Sequence, residues 1–325
     1  MTDPTIAAGF FEATGNFFTD LAAVKPLELL IALAFFGAYL SVRARAYFNV
    51  LRAAYPDSEF QFRKIWGAWV AAYGFNNVVP ARGGDIIKLF LVRSSVPKSS
   101  YPAVASSFFV EAVFDLTIGI PVLIFAFTQG VFPQPPDFAS VDSADLAWLA
   151  NDASRLLFII TSIGVLLTAL FAVLSSRVKL FWERVRQGVT ILFDRDRYLR
   201  EVWAVQFVAW LLRCSCFWFM LDAFGIPPSV ESVLLVLACN AVAGAIPITP
   251  GGAGVMQALT VKVFANAAPA TVVAAYSVGQ QIALGAFSFL LGFIALVAVF
   301  GFRSFGEVRR AGTEHRAAEK RTDAV

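Results

Sequence analysis

Residues 76–85 read Asn-Asn-Val-Val-Pro-Ala-Arg-Gly-Gly-Asp and interrupt an otherwise apolar segment. A second interruption, at residues 245–254, reads Ala-Ile-Pro-Ile-Thr-Pro-Gly-Gly-Ala-Gly. A helix in hydrocarbon satisfies its own backbone, and proline or paired glycine in its middle frees polar groups that lipid cannot satisfy. Such breaks persist where they pack within protein or line a wet cavity. One break in each half of a membrane protein indicates a transport site.

The composition defines the class of protein. The chain has 325 residues, of which 58% are hydrophobic and 33 are phenylalanine, and its mean hydropathy is +0.69. Soluble domains contain roughly 45–50% apolar residues, so this composition predicts an all-α polytopic integral membrane protein.

The residues suited to metal binding or nucleophilic catalysis are few and scattered. The three cysteines lie in apolar runs, which predicts buried packing rather than disulfides or a metal pair, and the single His315 lies in a charged tail. The glycine spacing of a nucleotide-binding P-loop is missing. We therefore expect no enzymatic activity, no metal, no cofactor and no nucleic-acid partner.

The placement of basic residues predicts the orientation. Most of the 26 basic residues fall in three predicted loops and the C-terminal tail, namely 43–64, 93–100, 176–201 and 302–325. Other connecting segments have none, namely 1–24, 129–153 and 223–231. By the positive-inside rule the N-terminus lies outside and the C-terminus lies in the cytoplasm, across the cell (inner) membrane.

This orientation predicts five full transmembrane helices and two re-entrant helical hairpins, or seven to nine apolar segments. The predicted spans are 26–42, 101–128, 154–175, 202–222 and 270–301. The hairpins are 65–92 and 232–267, since each must begin and end on one side. The order predicts an inverted repeat, with repeat A at 26–128, a linker span at 154–175 and repeat B at 202–301. An N-terminal extracytoplasmic segment (1–25) and a charged cytoplasmic tail (302–325) flank this 26–301 domain.

Charged residues cluster after the first break. Arg82, Asp85 and Lys88 follow it at helical spacing, and Glu111 and Asp115 lie one turn apart in the next apolar run. A charge at membrane depth costs at least ~2.5 kcal/mol and needs a partner. Two interpretations are open: a structural ion-pair network, or a site where the arginine binds a phosphate headgroup while the carboxylates gate or titrate it. In both, Arg82 is the expected partner of the carboxylates.

The second break offers backbone groups rather than charges. Free N–H groups at a helix N-terminus bind anions, so Gly83 and Gly84 at the first break are candidates, as are Thr249, Gly251 and Gly252 at the second. Weaker candidates, each of which fits interhelical hydrogen bonding equally well, are Asn76, Asn77, Arg213, Asn240 and Gln257. The sequence names no partner for Arg213, which lies in mid-span.

These motifs resemble those of a known family. Residues 80–85 (Pro-Ala-Arg-Gly-Gly-Asp) resemble the Pro-Ala-Arg-x-Gly-Glu motif of the lysylphosphatidylglycerol synthase transmembrane (flippase-like) family, and residues 247–255 are similar to its Pro-x-Thr-Pro-Gly-Gly-x-Gly-Val motif. Glu111 and Asp115 match its Glu-Arg-x-x-Asp motif, although Ala112 replaces the arginine. The resemblance implies an integral membrane protein that translocates or handles lipids. Since the chain ends soon after its last predicted span, we expect no aminoacyl-transferase domain.

The leading hypothesis is a flippase or transporter, not driven by ATP, that holds an anionic headgroup between the two hairpins. Its partner would be a membrane lipid or a polyprenyl-linked lipid, with protein partners unknown. Arg82 would contact phosphate, and Glu111 and Asp115 would couple movement to protonation. The alternatives are an accessory or scaffold subunit of a lipid-biosynthesis pathway and a membrane-embedded lipid-modifying enzyme.

Overall fold

A computed structural model describes residues 23–77, 83–129, 179–245, 254–265 and 267–302, together with Thr19 and Glu307. Every regular element in these ranges is helical. The helices are α1 (Pro26–Ala54), α2 (Phe62–Asn76), α3 (Gly83–Ser95), α4 (Tyr101–Thr128), α5 (Lys179–Gly188), α6 (Arg195–Ala223), α7 (Val230–Ala245), α8 (Val255–Val263) and α9 (Ala270–Phe300). A 3₁₀ turn (Thr190–Phe193) precedes α6, and Leu199–Trp203 within α6 is wound as a π-helix.

Four of these helices, α1, α4, α6 and α9, are long and apolar enough to cross a membrane. They have between 28 and 31 residues, which at 1.5 Å per residue exceeds the roughly 30 Å of a bilayer core. The prediction of an all-α polytopic membrane protein is therefore confirmed. The fifth predicted span, 154–175, lies outside the described residues.

The segment 43–64 is mostly helix, and its prediction as a loop is wrong. Helix α1 continues through Arg43, Arg45 and Arg52 and ends at Ala54, one residue before Tyr55 and two before Pro56. Arginine is a good helix former, whereas proline cannot continue a helix, so the proline and not the charges ends α1. The segment 176–201 is likewise largely helical, because it contains α5 and the start of α6.

Short helices flank each sequence break. Helices α2 and α3 have 15 and 13 residues, and α7 and α8 have 16 and 9. At 1.5 Å per residue the longest of these extends only about 24 Å, less than the bilayer core. The residues between them, 78–82 and 246–253, lie outside the described residues. That each pair is a re-entrant hairpin remains a prediction.

Helices α1 and α6 pack side by side along their lengths and run antiparallel. At one end the Lys25 Nζ atom lies 2.8 Å from an Asp222 carboxylate oxygen, and this hydrogen bond raises the pKa of Lys25. Further along, the rings of Phe35 and Phe219 stack with their centroids 5.6 Å apart. The first helices of the two predicted repeats therefore pack against each other.

Helices α2 and α9 form the second close pair, through small residues. Gly74 of α2 lies against the backbone of Ser288, and Gly292 of α9 lies against Val70 and Ala71. Helices in a membrane associate largely through such close packing, because lipid is as apolar as their side chains. In the same way α7 packs against α4, so the second helix of each predicted repeat packs on the last helix of the other.

We expect Gly74→Ala to destabilise the fold by about 1–3 kcal/mol, because its methyl group would overlap the Ser288 carbonyl. The matched control is Gly119→Ala on α4, where a Cβ meets no described atom within 4 Å. Gaining a better helix former, this variant should unfold no earlier than wild type. Thermal unfolding in detergent compares the three proteins. Equal melting temperatures for both variants would contradict the close α2–α9 packing.

Candidate functional site

Four helices bring charged and aromatic side chains together at mid-helix depth. Arg43 comes from α1, Trp69 from α2, Lys88 from α3, and Glu111 and Asp115 from α4. At 1.5 Å per residue, α3 continues for about 10 Å beyond Lys88 and α1 continues for about 17 Å beyond Arg43, so both residues lie away from the ends of their helices. We call these five residues the ion cluster.

Glu111 is the buried centre of the ion cluster. One carboxylate oxygen lies 2.5 Å from Lys88 Nζ, and the other accepts a 2.9 Å hydrogen bond from Trp69 Nε1. Arg43 Nη2 lies 3.9 Å from that second oxygen. Glu111 and Lys88 are only 6% and 7% exposed. A buried ion is tolerated when its charge is paired and its remaining lone pairs are bonded, and Glu111 meets both conditions.

Aromatic rings enclose the other side of the Lys88 ammonium. Its Nζ atom lies 4.1 Å from the ring centroid of Tyr47 and 4.2 Å from that of Phe108. The negative faces of these rings attract a desolvated cation. The Tyr47 hydroxyl is in turn hydrogen-bonded to Ser107, at 2.9 Å. Lys88, a predicted binding residue, is therefore held by Glu111 and two aromatic rings.

Asp115 forms the accessible end of the ion cluster. Arg43 donates to its two carboxylate oxygens at 2.6 and 3.0 Å, the bidentate geometry in which arginine and carboxylate bind most strongly. The Asp115 side chain is nevertheless 56% exposed, whereas that of Arg43 is only 11% exposed. Asp115 is therefore the more exposed of the two carboxylates in the ion cluster.

The described partners of the two carboxylates differ from those expected. Arg82 was predicted to neutralise Glu111 and Asp115, but Arg82 lies outside the described residues and their partners are Lys88 and Arg43. The formal charges of these four side chains sum to zero. The repulsion expected between the carboxylates is thus offset by a separate cation for each. Arg43 was missed because it was assigned to a loop; the signal available was the lack of any glycine or proline between Arg43 and Pro56.

The asparagines before the first break connect it to its surroundings. The Asn76 side chain accepts a 2.8 Å hydrogen bond from the Gly84 N–H and donates a 3.0 Å bond to Asp85. It thereby closes the first turn of α3 onto the end of α2. Asn77 donates to the Ser288 hydroxyl of α9 at 2.9 Å. Among the predicted binding residues, Gly84, Asp85 and Asn76 are therefore engaged with one another, and Gly83 is the first residue of α3.

A separate polar pocket lies between helices that flank the two breaks. Its lining comes from α1, α2, α6, α7, α8 and α9 and includes Phe36, Tyr73, Asn77, Arg213, Phe217, Asn240, Met256, Gln280, Gln281, Leu284 and Gly285. Asn77 directly precedes the undescribed residues of the first break, and Met256 lies just after those of the second. We call this space the central pocket. It contains three of the weaker sequence candidates, Asn77, Arg213 and Asn240.

Arg213 provides the positive charge of the central pocket. Its guanidinium carbon lies 5.7 Å from the ring centroid of Tyr39 and 5.8 Å from that of Phe217. In the part of the chain that the structure describes, no carboxylate forms a salt bridge with it. Arg213 thus differs from Arg43 and Lys88, each of which has a carboxylate partner.

The glutamines beside the pocket fall into two groups. Gln257 accepts from the Gly254 N–H at 2.6 Å, which caps α8, and donates to Gln281 at 2.6 Å. Through these contacts Gln257 connects α8 to α9. Gln280 is 2% exposed, and its side-chain oxygen has no hydrogen-bond partner among the described residues.

Aromatic rings join the central pocket to the ion cluster. Tyr73 lines the pocket and stacks on Trp69 with a centroid distance of 5.6 Å, and Trp69 donates to Glu111. If a ligand displaced Tyr73, the movement would therefore be transmitted to Glu111 through Trp69. The remaining predicted site residues, Arg82, Thr249, Gly251 and Gly252, lie outside the described residues.

The fold and this arrangement define a polytopic helical membrane protein with a polar centre between two broken segments. The family model described as the lysylphosphatidylglycerol synthase TM region matches residues 5–292, and the chain belongs to that family. The resemblance seen in the motifs is confirmed. Comparison with curated proteins gives no match.

We expect Lys88→Met to cost about 3–5 kcal/mol of unfolding free energy, because it leaves Glu111 buried without its closest cation. Adding Glu111→Gln removes that uncompensated charge and keeps an acceptor for Trp69. The double variant should therefore be more stable than Lys88→Met alone. Chemical unfolding in detergent micelles gives the comparison. A double variant as unstable as the sum of the single ones would show that the pair is not coupled.

Proposed function

We propose that the protein moves a membrane lipid, or a lipid-linked intermediate, by passing its anionic headgroup through the central pocket. The observation that carries this proposal is Arg213, a cation in the middle of an apolar helix that lines a pocket between the helices flanking both breaks. Membership of a family named for a lipid synthase TM region supports a role with lipids.

The cost of the charge argues for an anionic ligand. An arginine at the centre of a transmembrane helix costs at least ~2.5 kcal/mol unless it is paired or hydrated. Among the described residues the carboxylates of the ion cluster form their salt bridges with Arg43 and Lys88, and Asp115 attracts Arg213 without forming a salt bridge with it. A phosphate in the central pocket would supply the missing negative charge. The predicted phosphate contact of Arg82 and the backbone groups of Gly251 and Gly252 are further parts of the proposed site.

The packing of the helices supports a structure in which two parts move relative to each other. The first helices of the two predicted repeats pack together, and each second helix packs on the last helix of the other repeat. Exchanged packing of this kind is expected of inverted repeats related by a pseudo-two-fold axis, whose relative rocking gives alternating access. In this proposal α2 and α3 enter and leave the membrane on the cytoplasmic side, α7 and α8 enter and leave on the outer side, and the N-terminus lies outside.

The proposed coupling element is the bidentate pair of Arg43 and Asp115. Protonation of the exposed Asp115 would release Arg43, and Tyr73 and Trp69 connect the pocket to the same cluster. Ligand entry and protonation would then act on one set of side chains.

A second candidate function has an observation in its favour. Lys88 and Glu111 are sealed from solvent and fully engaged, which is what a purely structural ion pair requires. If the whole polar centre has that role, the protein acts as an accessory subunit of lipid biosynthesis, with no transport of its own.

The test of transport uses Gly285, which lines the central pocket and has room for a side chain. We expect Gly285→Leu to fill the pocket and to reduce lipid translocation at least about tenfold, while the protein stays folded. The assay follows fluorescent phospholipids crossing the bilayer of reconstituted vesicles, by dithionite quenching.

The matched control is Gly119→Leu on α4, the same change at a position that contacts no described atom and lies away from the pocket. It should translocate lipid at the wild-type rate. Wild-type vesicles that translocate no faster than empty ones would favour the accessory-subunit role. Equal activity of the two leucine variants would exclude passage through the central pocket.

A further inference from the structure

We propose that Asp115 is a shared counter-ion, which moves between Arg43 and Arg213 and thereby opens and closes the central pocket to its ligand. In the described arrangement Asp115 binds Arg43, and Arg213 lines the pocket without a salt bridge to a described carboxylate. In the second arrangement Asp115 would bind Arg213 and compete with an anionic ligand for it. The competition rests on the proposed function, whereas the exchange of Asp115 between the two arginines does not.

The polar centre has more cations than carboxylates among the described residues. Arg43, Lys88 and Arg213 carry three positive charges. Glu111 and Asp115 carry two negative charges. In any arrangement of these side chains, one cation is therefore left without a carboxylate of its own. Because an unpaired charge in an apolar interior is costly, a carboxylate that is able to move is attracted to the cation that lacks an anion.

Asp115 is the carboxylate that is better placed to move. Glu111 is only 6% exposed, and both Lys88 and Trp69 are bonded to it. The Asp115 side chain is 56% exposed, and among the described residues its hydrogen bonds come from Arg43 alone. Asp115 therefore has one described partner to leave, and space around its side chain in which to rotate.

Arg43 has a second carboxylate beside it. Its Nη2 atom lies 3.9 Å from a Glu111 oxygen, in addition to the bidentate contact with Asp115. If Asp115 moved to Arg213, Arg43 would keep Glu111 within salt-bridge distance. Each arginine would then have a carboxylate nearby. The exchange therefore costs less than breaking an isolated buried ion pair, which would leave one charge uncompensated.

The two arginines approach neighbouring turns of α1. The guanidinium carbon of Arg213 lies 5.7 Å from the ring centroid of Tyr39, and Arg43 follows Tyr39 by four residues, or about 6 Å along the helix. Across this gap the negative charge of Asp115 attracts Arg213, and the positive charge of Arg43 repels it. Rotation of the long Arg213 side chain and of the exposed Asp115 side chain would bring the two together.

This exchange would give the central pocket a competitor from the protein itself. A ligand anion and Asp115 would bind the same guanidinium, so the ligand is held only when it replaces the carboxylate. Anionic lipid in excess would displace Asp115 to Arg43, and departure of the lipid would let Asp115 return to Arg213. Arg213 would then have a counter-ion at each stage.

The exchange is tested first without ligand, by thermal unfolding in a neutral detergent of Arg43→Gln, Arg213→Gln and the double variant. Since either arginine alone would pair with Asp115, we expect the double variant to melt at least about 3 °C lower than the sum of the two single shifts gives. Adding Asp115→Asn to the double variant should remove this excess loss. Additive shifts, or an excess that Asp115→Asn leaves unchanged, would overturn the proposal.

The competition is tested by titrating the protein with dihexanoyl phosphatidic acid, whose headgroup is a phosphate alone, in a calorimeter. Asp115→Asn removes the competitor and should bind the probe at least about fivefold more tightly than wild type. Arg43→Gln should bind it more weakly, because Asp115 then stays with Arg213. In the Asp115→Asn background, Arg43→Gln should have no further effect. A mere change of nearby charge would instead weaken binding equally in both backgrounds.

The matched control is Asp222→Asn, which neutralises another ion-paired aspartate, bound to Lys25 at the end of α6. It should bind the probe as wild type does. If Asp115→Asn binds no more tightly than wild type, or if Arg43→Gln weakens binding equally with and without Asp115, the proposal is wrong. If no variant binds the probe, the proposed anion site fails, and the unfolding experiment alone decides whether Asp115 exchanges between the arginines.

Discussion

The structure depends on how charge is compensated in the middle of apolar helices. Glu111 joins α1, α2, α3 and α4 because it binds Lys88 and Trp69 and lies 3.9 Å from Arg43. Without these contacts a carboxylate at that depth would be too costly to keep ionised. The same requirement draws attention to Arg213. Among the described residues, Arg43 and Lys88 each form a salt bridge with a carboxylate, whereas Arg213 forms none.

Two polar regions with different roles follow from this constraint. The ion cluster is balanced and largely buried, and it holds the short helices α2 and α3 through Trp69 and Lys88. The central pocket holds an arginine without a salt bridge to any described carboxylate and a glutamine whose side-chain oxygen has no described partner, which is why we propose it as the binding site. Tyr73 and Trp69 lie between them, and through these rings occupancy of the pocket is able to affect the cluster.

The sequence predicted the fold class well, because hydrophobic length and helix-breaking residues are local signals. It identified the long helices of four spans and both breaks, and its motifs identified the family. It failed where the position or partner of a residue depends on tertiary contacts. Arg43 was predicted to lie in a loop, because the sequence around it gives no sign of its partner. That partner, Asp115, is 72 positions away along the chain. Likewise nothing local to Gln257 shows that it caps α8 and binds Gln281, or that the side-chain oxygen of Gln280 has no described partner.

The most direct test of the central claim is an electron cryo-microscopy structure of the protein in nanodiscs rich in anionic phospholipid. Our account predicts phosphate density within hydrogen-bond distance of the Arg213 guanidinium, with the headgroup between α6, α7 and α9. A central pocket without lipid, with Arg213 paired to a carboxylate of the protein itself, would contradict it.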